Sequence, residues 1–262
     1  MSYLTCPYCS YTRSWKLRRD KRKCKKCRRE FNPIHYPVAG FRITEEGWRS
    51  CIGVFLRERT IGRIVDETKL SHGTVERVVQ RLRDAMARNH QPLFYGPVEL
   101  DETYIGGQRK NKRLHIRRIQ AKRGHGTDKL AIMGIFDRNS GMVYVEVIPK
   151  LDLQRIFEII RSRVPRGSRL YTDGFKMYRS FAHRGYLHSY VDHDGGEYVR
   201  GDVHTNNIEG FWGILKRKMS CIGGMRRNRL HTFVAEIVWR FNHRKLPLVE
   251  QEDRLFKAVN DQ

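Results

Sequence analysis

The sequence predicts an α/β protein in which a domain of alternating strands and helices follows two small, basic modules. Three observations lead to this fold class. Two C-x2-C pairs lie within residues 1–36, residues 42–92 have a helical pattern, and strands alternate with helices over residues 96–247. In the second segment the apolar residues recur at helical spacing, which indicates amphipathic helices.

The charge balance indicates a polyanionic partner. The 262 residues include 52 Lys and Arg against 28 Asp and Glu, a formal net charge of +24. Neutralising the phosphates of a nucleic acid releases counterions, so this charge favours nucleic-acid binding, and an anionic membrane is the alternative partner. The sequence has no run of about 18 apolar residues and no apolar segment after Met1. We therefore expect no membrane span and no signal peptide.

Four of the six cysteines predict a structural zinc site. Cys6-x2-Cys9 and Cys24-x2-Cys27 are separated by fourteen residues. Paired knuckles at this separation are typical of a zinc ribbon, in which four thiolates bind Zn²⁺; two redox-active pairs are the alternative. The zinc interpretation implies a reducing compartment and a metal-dependent fold for residues 1–36, because so short a segment cannot build a sufficient core.

Residues 42–92 resemble a helix-turn-helix module. Thr44 and Thr60 are placed to cap helices, and Ser71 is placed to cap a further one. The helix after Ser71 carries Arg77 and Arg81, which we predict to contact DNA. The turn before it contains Lys69-Leu70-Ser71 instead of the usual glycine, and a plain helical linker is the alternative interpretation.

From Gly96 onwards the pattern is that of a larger α/β domain. The stretch GPVELDETYIGG reads as a strand ending in acids, LAIMGIFDR and MVYVEVIP as a hairpin, and SRLYTDG as another strand ending in an acid. An amphipathic helix follows Asp152 between them. Strand, hairpin, helix, strand with an acid and helix with an acid is the order of a ribonuclease H-like fold. We place a basic insertion at residues 106–129 and a C-terminal tail at residues 248–262.

Three acids of this domain are predicted to meet. Asp101 and Asp173 follow strands that would be neighbours in the sheet, and Glu209 lies on a helix able to lean over both. Three carboxylates at one point repel each other, and divalent cations relieve that repulsion. Each acid also has a structural interpretation. Asp101 would end an edge strand, Asp173 would belong to a turn, and Glu209 would close a capping box with Asn206 as N-cap.

Four motifs carry a resemblance to a known family. DETYIGG, YTDGFKMY, VHTNNIEGFWGILKR and RFNHR occur in this order. They resemble the signature blocks of DDE transposases from bacterial and archaeal insertion sequences, in particular the ISXO type with an N-terminal zinc ribbon. The resemblance implies that Asp101, Asp173 and Glu209 are the catalytic acids and that they bind two Mg²⁺ or Mn²⁺ ions.

The same resemblance assigns roles to the residues around Glu209. The group varies its third acid, so Asn206 or Asn207 is an alternative to Glu209. Lys216 matches a basic residue that follows the third acid, and with Arg217 it would hold a DNA phosphate. His193 and His204 stand in family-like contexts, and each would either contact phosphate, orient a carboxylate or belong to the core.

The resemblance implies a transposase acting on double-stranded DNA. It would bind the terminal inverted repeats through ribbon and helix-turn-helix, hydrolyse DNA to free 3′ hydroxyls, and join these to target DNA. Holding two ends together implies a homodimer or larger assembly, in the cytoplasm and associated with the nucleoid. A non-catalytic DNA-binding regulator, a domesticated relative and a structure-selective nuclease are the alternatives.

Overall fold

The computed structural model describes most of the chain in two compact units. The described residues are 5–18, 21–32, 36–88, 92–106, 130–148, 152–174, 176–191, 200–221 and 227–261. One unit comprises Met1–Ala85 with Leu246–Gln262, and the other comprises Met86–Lys245. The predicted basic insertion lies, apart from Gly106, outside the described residues, and so does His193.

The first unit begins with a small antiparallel sheet. Its strands are β1 (Ser14–Lys16), β2 (Arg22–Cys24) and β3 (Glu30–Phe31), in that order. Phe31 is buried with Cys6 and Cys24, and these side chains form one small cluster. A core of this size buries little apolar area, and folds this small usually rely on a bound metal or on disulfides.

Three helices follow, and their N-caps are those that the sequence predicts. Helix α1 (Glu45–Leu56) begins after Thr44, whose hydroxyl accepts from the Gly47 N–H group. Helix α2 (Ile61–Thr68) begins after Thr60, which accepts in the same way from Arg63. Helix α3 (His72–Arg88) follows a turn in which Lys69 adopts a left-handed conformation with φ of 59°. Lys69 therefore occupies the position that glycine usually takes at a helix C-terminus.

The predicted C-terminal tail is a helix, α7 (Leu248–Asn260), that packs on α1. Its buried residues are Leu255, Phe256, Ala258 and Val259. Arg49 of α1 lies over the ring of Phe256, 4.7 Å from its centroid, and its Nη1 is 2.6 Å from Asp253 Oδ1. The signal for this helix was Pro247 followed by apolar residues at helical spacing. This apolar pattern is short, and α1, the helix on which it packs, lies about 200 residues earlier in the chain.

The second unit contains a five-stranded mixed sheet among its described residues, with the order β6-β5-β4-β7-β8. The strands are β4 (Val98–Ile105), β5 (Leu130–Asp137), β6 (Val143–Ile148), β7 (Arg169–Asp173) and β8 (Leu187–Val191). Strands β4, β5 and β6 pair antiparallel, whereas β7 runs parallel to both β4 and β8. Strand β4 is therefore central among the described strands, and the alternative interpretation, in which Asp101 would end an edge strand, is wrong. Because its pairing with β5 continues to Ile105, β4 extends beyond the acids.

Helices cover both faces of this sheet. Helix α4 (Leu153–Arg163), capped by Asp152 as predicted, and the 3₁₀ segment Lys176–Arg184 pack on the face that includes Leu100 and Met133. Helices α5 (Asn206–Ser220) and α6 (Leu230–His243) pack on the opposite face, which includes Ile132. Side chains alternate along a strand, so the neighbours of Leu100 in β4 point towards α5.

The RFNHR motif fastens the end of α6 to the edge of the sheet. The Asn242 side chain donates to the carbonyl of Val143 and accepts from its N–H group, both at 2.8 Å. Arg244 donates to the carbonyl of Gly141 in the preceding hairpin. Asn242 thus satisfies backbone groups of edge strand β6 that would otherwise be open to another strand.

Candidate active site

The structure brings Asp101 and Asp173 together at neighbouring positions of the sheet. The parallel register pairs Val98 with Leu170 and Glu99 with Tyr171. Asp101 and Asp173 each lie two residues beyond the second pair, and they therefore stand at the same level on the same face. The negative charge of Asp173 contributes to raised pKa values of both Asp101 and Glu102.

Burial and like charge make this an electrostatically strained group of acids. Desolvation, followed by the charges of Glu102 and Asp173, raises the pKa of Asp101 to about 8. Desolvation also raises the pKa of Glu102 to about 7, although the Tyr178 hydroxyl donates to its Oε2 at 2.5 Å. Such acids retain protons at neutral pH unless a cation compensates them. Asp101 and Asp173, which share one face of the sheet, therefore offer carboxylate oxygens that suit a divalent metal ion.

A glycine allows helix α5 to contact Asp101. The Trp212 Nε1–H group donates to Asp101 Oδ2 at 2.9 Å. Gly134 is the β5 residue opposite Asp101, and a Cβ at this position would lie 2.6 Å from the Trp212 ring and 2.8 Å from Ile208. Since real Cβ atoms do not approach so closely, the indole reaches Asp101 only because residue 134 has no side chain. Neither element carries a sequence pattern that indicates this contact.

We expect Gly134→Ala to reduce both stability and activity. The added methyl group displaces Trp212, and overpacking of this kind costs about 1–3 kcal/mol in the free energy of unfolding. Denaturant titration measures the first effect, and DNA cleavage measures the second. Gly210→Ala on α5 is the matched control, because its Cβ meets no atom of the described residues within 4 Å. Equal behaviour of the two variants would contradict the prediction.

Glu209 lies on the first turn of α5, and its side chain is exposed. Thr205, not Asn206, is the N-cap, and the Thr205 hydroxyl donates to Glu209 Oε1 at 2.7 Å. The capping box with Asn206 as N-cap is therefore wrong. Glu209 is three residues before Trp212 and so lies one turn from the residue that contacts Asp101.

Within the described part of the chain, Asp101, Asp173 and Glu209 do not form one tight group. The four cysteines Cys6, Cys9, Cys24 and Cys27 are the one set of three or more His, Cys, Asp or Glu side chains whose ligand atoms all lie within 4.8 Å in that part. The structure thus pairs the two aspartates and places Glu209 on the adjoining helix.

Two of the histidine and asparagine candidates, His204 and Asn207, contact a buried carboxylate, Glu99. Asn207 donates to Glu99 from its backbone N–H group at 2.9 Å and from Nδ2 at 2.7 Å. His204 Nδ1 lies 3.4 Å from Glu99 Oε1 and 3.0 Å from an Arg138 nitrogen. Asn206 is exposed at the start of α5. Glu99 itself was not predicted, although its place two residues before Asp101 puts it on the same face of β4.

The predicted DNA-binding residues differ in exposure. Lys216 and Arg217 are exposed on α5, and Lys216 is seven residues after Glu209, on the same side of the helix. Arg77 is exposed on α3, where its guanidinium lies over Phe41 and donates to the Gly40 carbonyl at 3.0 Å. Arg81 is half-buried, and its Nε has no hydrogen-bond partner among the described residues.

The cysteine cluster fits a tetrahedral metal ion. The Sγ atoms of Cys6 and Cys27 are 3.6 Å apart, and so are those of Cys9 and Cys24. Four sulfur atoms at the usual Zn–S distance of about 2.3 Å are about 3.8 Å from one another. Although desolvation alone would raise it, the backbone N–H groups of Cys27 and Lys26 lower the pKa of Cys24 to about 6. A thiolate at this position is the form that binds zinc.

Stability without divalent metal should depend on pH through Asp101. The pKa of this group is 3.8 in a free side chain and about 8 in the folded protein. The folded state therefore holds a proton that the unfolded chain releases, and the free energy of unfolding should fall as pH rises from about 4 to about 8. Urea titrations in buffer without Mg²⁺ or Mn²⁺ measure this slope. Asp101→Asn should make the slope shallower, with the remainder coming from Glu102, whose pKa is also raised. An unchanged slope in that variant would contradict the assignment.

Comparison with known proteins identifies the family. A family model described as the ISXO2-like transposase domain matches residues 94–242, more than half of the chain. An uncharacterised protein in transposable element ISH50 of Halobacterium salinarum is 31% identical over 221 residues, which cover 80% of this chain and 74% of that protein. The chain belongs to the ISXO2-like transposase family of insertion sequences.

Further similarities are more distant. A transposase-like protein of Haemophilus influenzae is 27% identical over 104 residues, covering 40% of this chain and 84% of that protein. A simian T-cell lymphotropic virus intasome chain aligns with a TM-score of 0.35 at 12% identity, covering 76% of each chain. A pre-cleavage Mos1 transpososome chain aligns with a TM-score of 0.25 at 10% identity, covering 80% of this chain and 78% of that chain. Among the helices of the described residues, none has the length and apolar character needed to span a membrane.

Proposed function

We propose that this protein is a DNA transposase that binds the terminal inverted repeats of an insertion sequence. It hydrolyses DNA to free 3′ hydroxyls and joins them to target DNA. The observation that carries the proposal is the pairing of Asp101 and Asp173 on adjacent parallel strands in a chain of this family. The sheet order β6-β5-β4-β7-β8, with β7 and β8 parallel to β4, supports the ribonuclease H-like fold expected of the catalytic domain.

Asp101, Asp173 and Glu209 would hold two Mg²⁺ or Mn²⁺ ions. Bound there, such ions supply charge stabilisation to the attacking and leaving oxygens of an in-line phosphoryl transfer. The chain's own residues orient the ligands. Trp212 holds Asp101 by a hydrogen bond of 2.9 Å, and the Thr205 hydroxyl holds Glu209 at 2.7 Å. Exposed Lys216, on the Glu209 side of α5, binds a DNA phosphate as a point charge.

The N-terminal modules recognise the ends of the element. The four cysteines would hold a structural Zn²⁺ ion, which supplies the cross-link that a small fold needs. Trp15 and Tyr8 are exposed, and the guanidinium groups of Arg28 and Arg29 lie over their rings at 4.7 Å and 5.1 Å. This basic and aromatic surface suits a nucleic acid. The helix pair α2–α3 would present Arg77 and Arg81 to the DNA. Because both ends of the element have to be held together, a homodimer or larger assembly is required.

Incubation of purified protein with end DNA and Mg²⁺, followed by sequencing of the products, tests this function. The expected products are strands cut at the element's ends, with 3′ hydroxyls that become joined to target DNA. Tight binding of the ends without any cut strand, in Mg²⁺ and in Mn²⁺, would instead identify a non-catalytic DNA-binding regulator.

DNA binding should depend steeply on salt. With a net charge of +24, we expect at least about six phosphate contacts and a slope of log K against log [salt] of about −5 or steeper. Lys216→Ala should make the slope shallower by about 1. Lys257→Ala, an exposed lysine on α7, is the charge-matched control and should leave the slope unchanged. An affinity that is flat between low and physiological salt would contradict the prediction.

A further inference from the structure

We infer that Glu99 and Arg138 are positioning residues that fix the first turn of α5, and with it Glu209, against the strand that carries Asp101. This inference rests on the proposed function, because it concerns the geometry of the proposed metal ligands. Neither residue belongs to the proposed set of ligands, and both contact the segment that leads into α5.

Glu99 caps the N-terminus of α5, where no residue at the start of the helix itself does so. The first N–H groups of a helix lack partners within it, and within the described chain the Thr205 side chain makes no capping hydrogen bond. Glu99 Oε2 instead accepts from the N–H groups of Asn207 and Ile208 at 2.9 Å and 3.0 Å. A carboxylate is favoured at this end of a helix by the helix dipole.

Arg138 holds both the carboxylate and the segment before the helix. Its Nε donates to Glu99 Oε1 at 2.8 Å, and its Nη1 and Nη2 donate to the carbonyls of Asp202 and His204 at 2.6 Å and 2.8 Å. The guanidinium also lies over the ring of Tyr171, 4.2 Å from its centroid. One side chain at the end of β5 therefore connects β4, β7 and the entry to α5.

The consequence is a two-point attachment of α5 to β4 on either side of Glu209. One point is Glu99 with the backbone of residues 207 and 208, and the other is Asp101 with Trp212. Glu209 lies between these points, and Thr205, which follows the carbonyl held by Arg138, donates to its carboxylate. The side chain of Glu99 is 0% exposed and that of Arg138 is 17% exposed. This burial keeps water from competing for the hydrogen bonds of Glu99.

Two variants of the full chain test this role. Glu99→Gln replaces a carboxylate oxygen with an NH₂ group, which cannot accept from the N–H donors that surround it. Arg138→Lys keeps the charge but loses the planar guanidinium that reaches three acceptors. Three quantities are compared with the wild type: hydrogen exchange of the amides of residues 206–209, the Mg²⁺ concentration that gives half-maximal DNA cleavage, and the rise in Tm on adding Mg²⁺. Ile160→Val, in the core on the opposite face of the sheet, is the control for general destabilisation.

We expect faster exchange in the first turn of α5, an Mg²⁺ midpoint about tenfold higher, and a smaller Mg²⁺-induced rise in Tm, with affinity for end DNA unchanged. If Glu99→Gln does not fold, Arg138→Lys decides the question. Wild-type exchange and a wild-type Mg²⁺ midpoint in a folded variant would overturn the inference, and so would equal shifts in Ile160→Val. If the wild type itself shows neither Mg²⁺-dependent cleavage nor a rise in Tm, the proposed function fails and the inference fails with it.

Discussion

Asp101→Asn, Asp173→Asn and Glu209→Gln should each reduce DNA cleavage and strand transfer by on the order of 10³-fold or more, with end binding retained. The three acids act as a unit in the proposed site, so a double variant should be about as inactive as either single variant. Cleavage and strand-transfer assays with end DNA measure the loss of activity. Filter-binding or mobility-shift assays measure the affinity for end DNA that is retained. Glu158→Gln, which removes an exposed carboxylate from α4, is the matched control and should retain activity.

Glu209→Gln is the most informative of these variants. Glutamine keeps a carbonyl oxygen that accepts the Thr205 hydroxyl, so the start of α5 is preserved, but it is a poor ligand for Mg²⁺. A purely structural role predicts normal transposition in this variant. That result would exclude Glu209 from the metal site and leave exposed Asn206 as the stronger alternative, since Asn207 already donates to Glu99 from its backbone and its side chain.

Cys24→Ser should unfold residues 1–36, which hold the four clustered cysteines, and weaken end binding strongly, while the Met86–Lys245 unit stays folded. Zinc binding contributes about 10–16 kcal/mol to folding in small zinc-finger peptides at pH 7, and the cluster of Cys6, Cys24 and Phe31 is too small to replace it. Metal analysis should give about one zinc ion per chain in the wild type. Circular dichroism and end-binding assays follow the effect of the substitution.

The control for this prediction is Cys221→Ser. Cys221 is exposed at the C-terminal end of α5 and should be replaceable without loss of zinc or of end binding. Freshly purified wild-type protein that contains no zinc would contradict the assignment, and so would a Cys24→Ser variant that binds the ends with unchanged affinity.

Features set by local spacing could be predicted from the sequence. The C-x2-C pairs brought four sulfur atoms within 4.8 Å, and Thr44, Thr60 and Asp152 cap helices as their positions indicated. The strands around Asp101 and Asp173 were also recognised, because short apolar runs bounded by turn residues are visible in one dimension. The start of α5 differs by one residue from the capping-box alternative, because the N–H groups of its first turn bond to Glu99 of β4 and not to Asn206.

The contacts that build the candidate site were not visible in this way. Gly134 and Trp212 are 78 positions apart in the numbering, and each alone reads as an ordinary strand or helix residue. Their relation appears only when β5 and α5 are stacked and the missing Cβ makes room for the indole. Helix α7 likewise resembles a tail in sequence, because its apolar face is defined by α1, which lies at the other end of the chain.

By itself, the sequence determined the charge, the grouping of four cysteines, the order of the elements that carry Asp101, Asp173 and Glu209, and the family. These depend on composition and on residues close together in the chain, where spacing alone specifies geometry. Only the tertiary structure decided that Asp101 and Asp173 stand level on parallel strands and that Glu99 and Arg138 anchor the helix of Glu209. The physical reason is that burial and hydrogen-bond partners of a charged side chain are set by elements far apart in sequence. The same carboxylate is a surface charge in one packing and a buried cap in another.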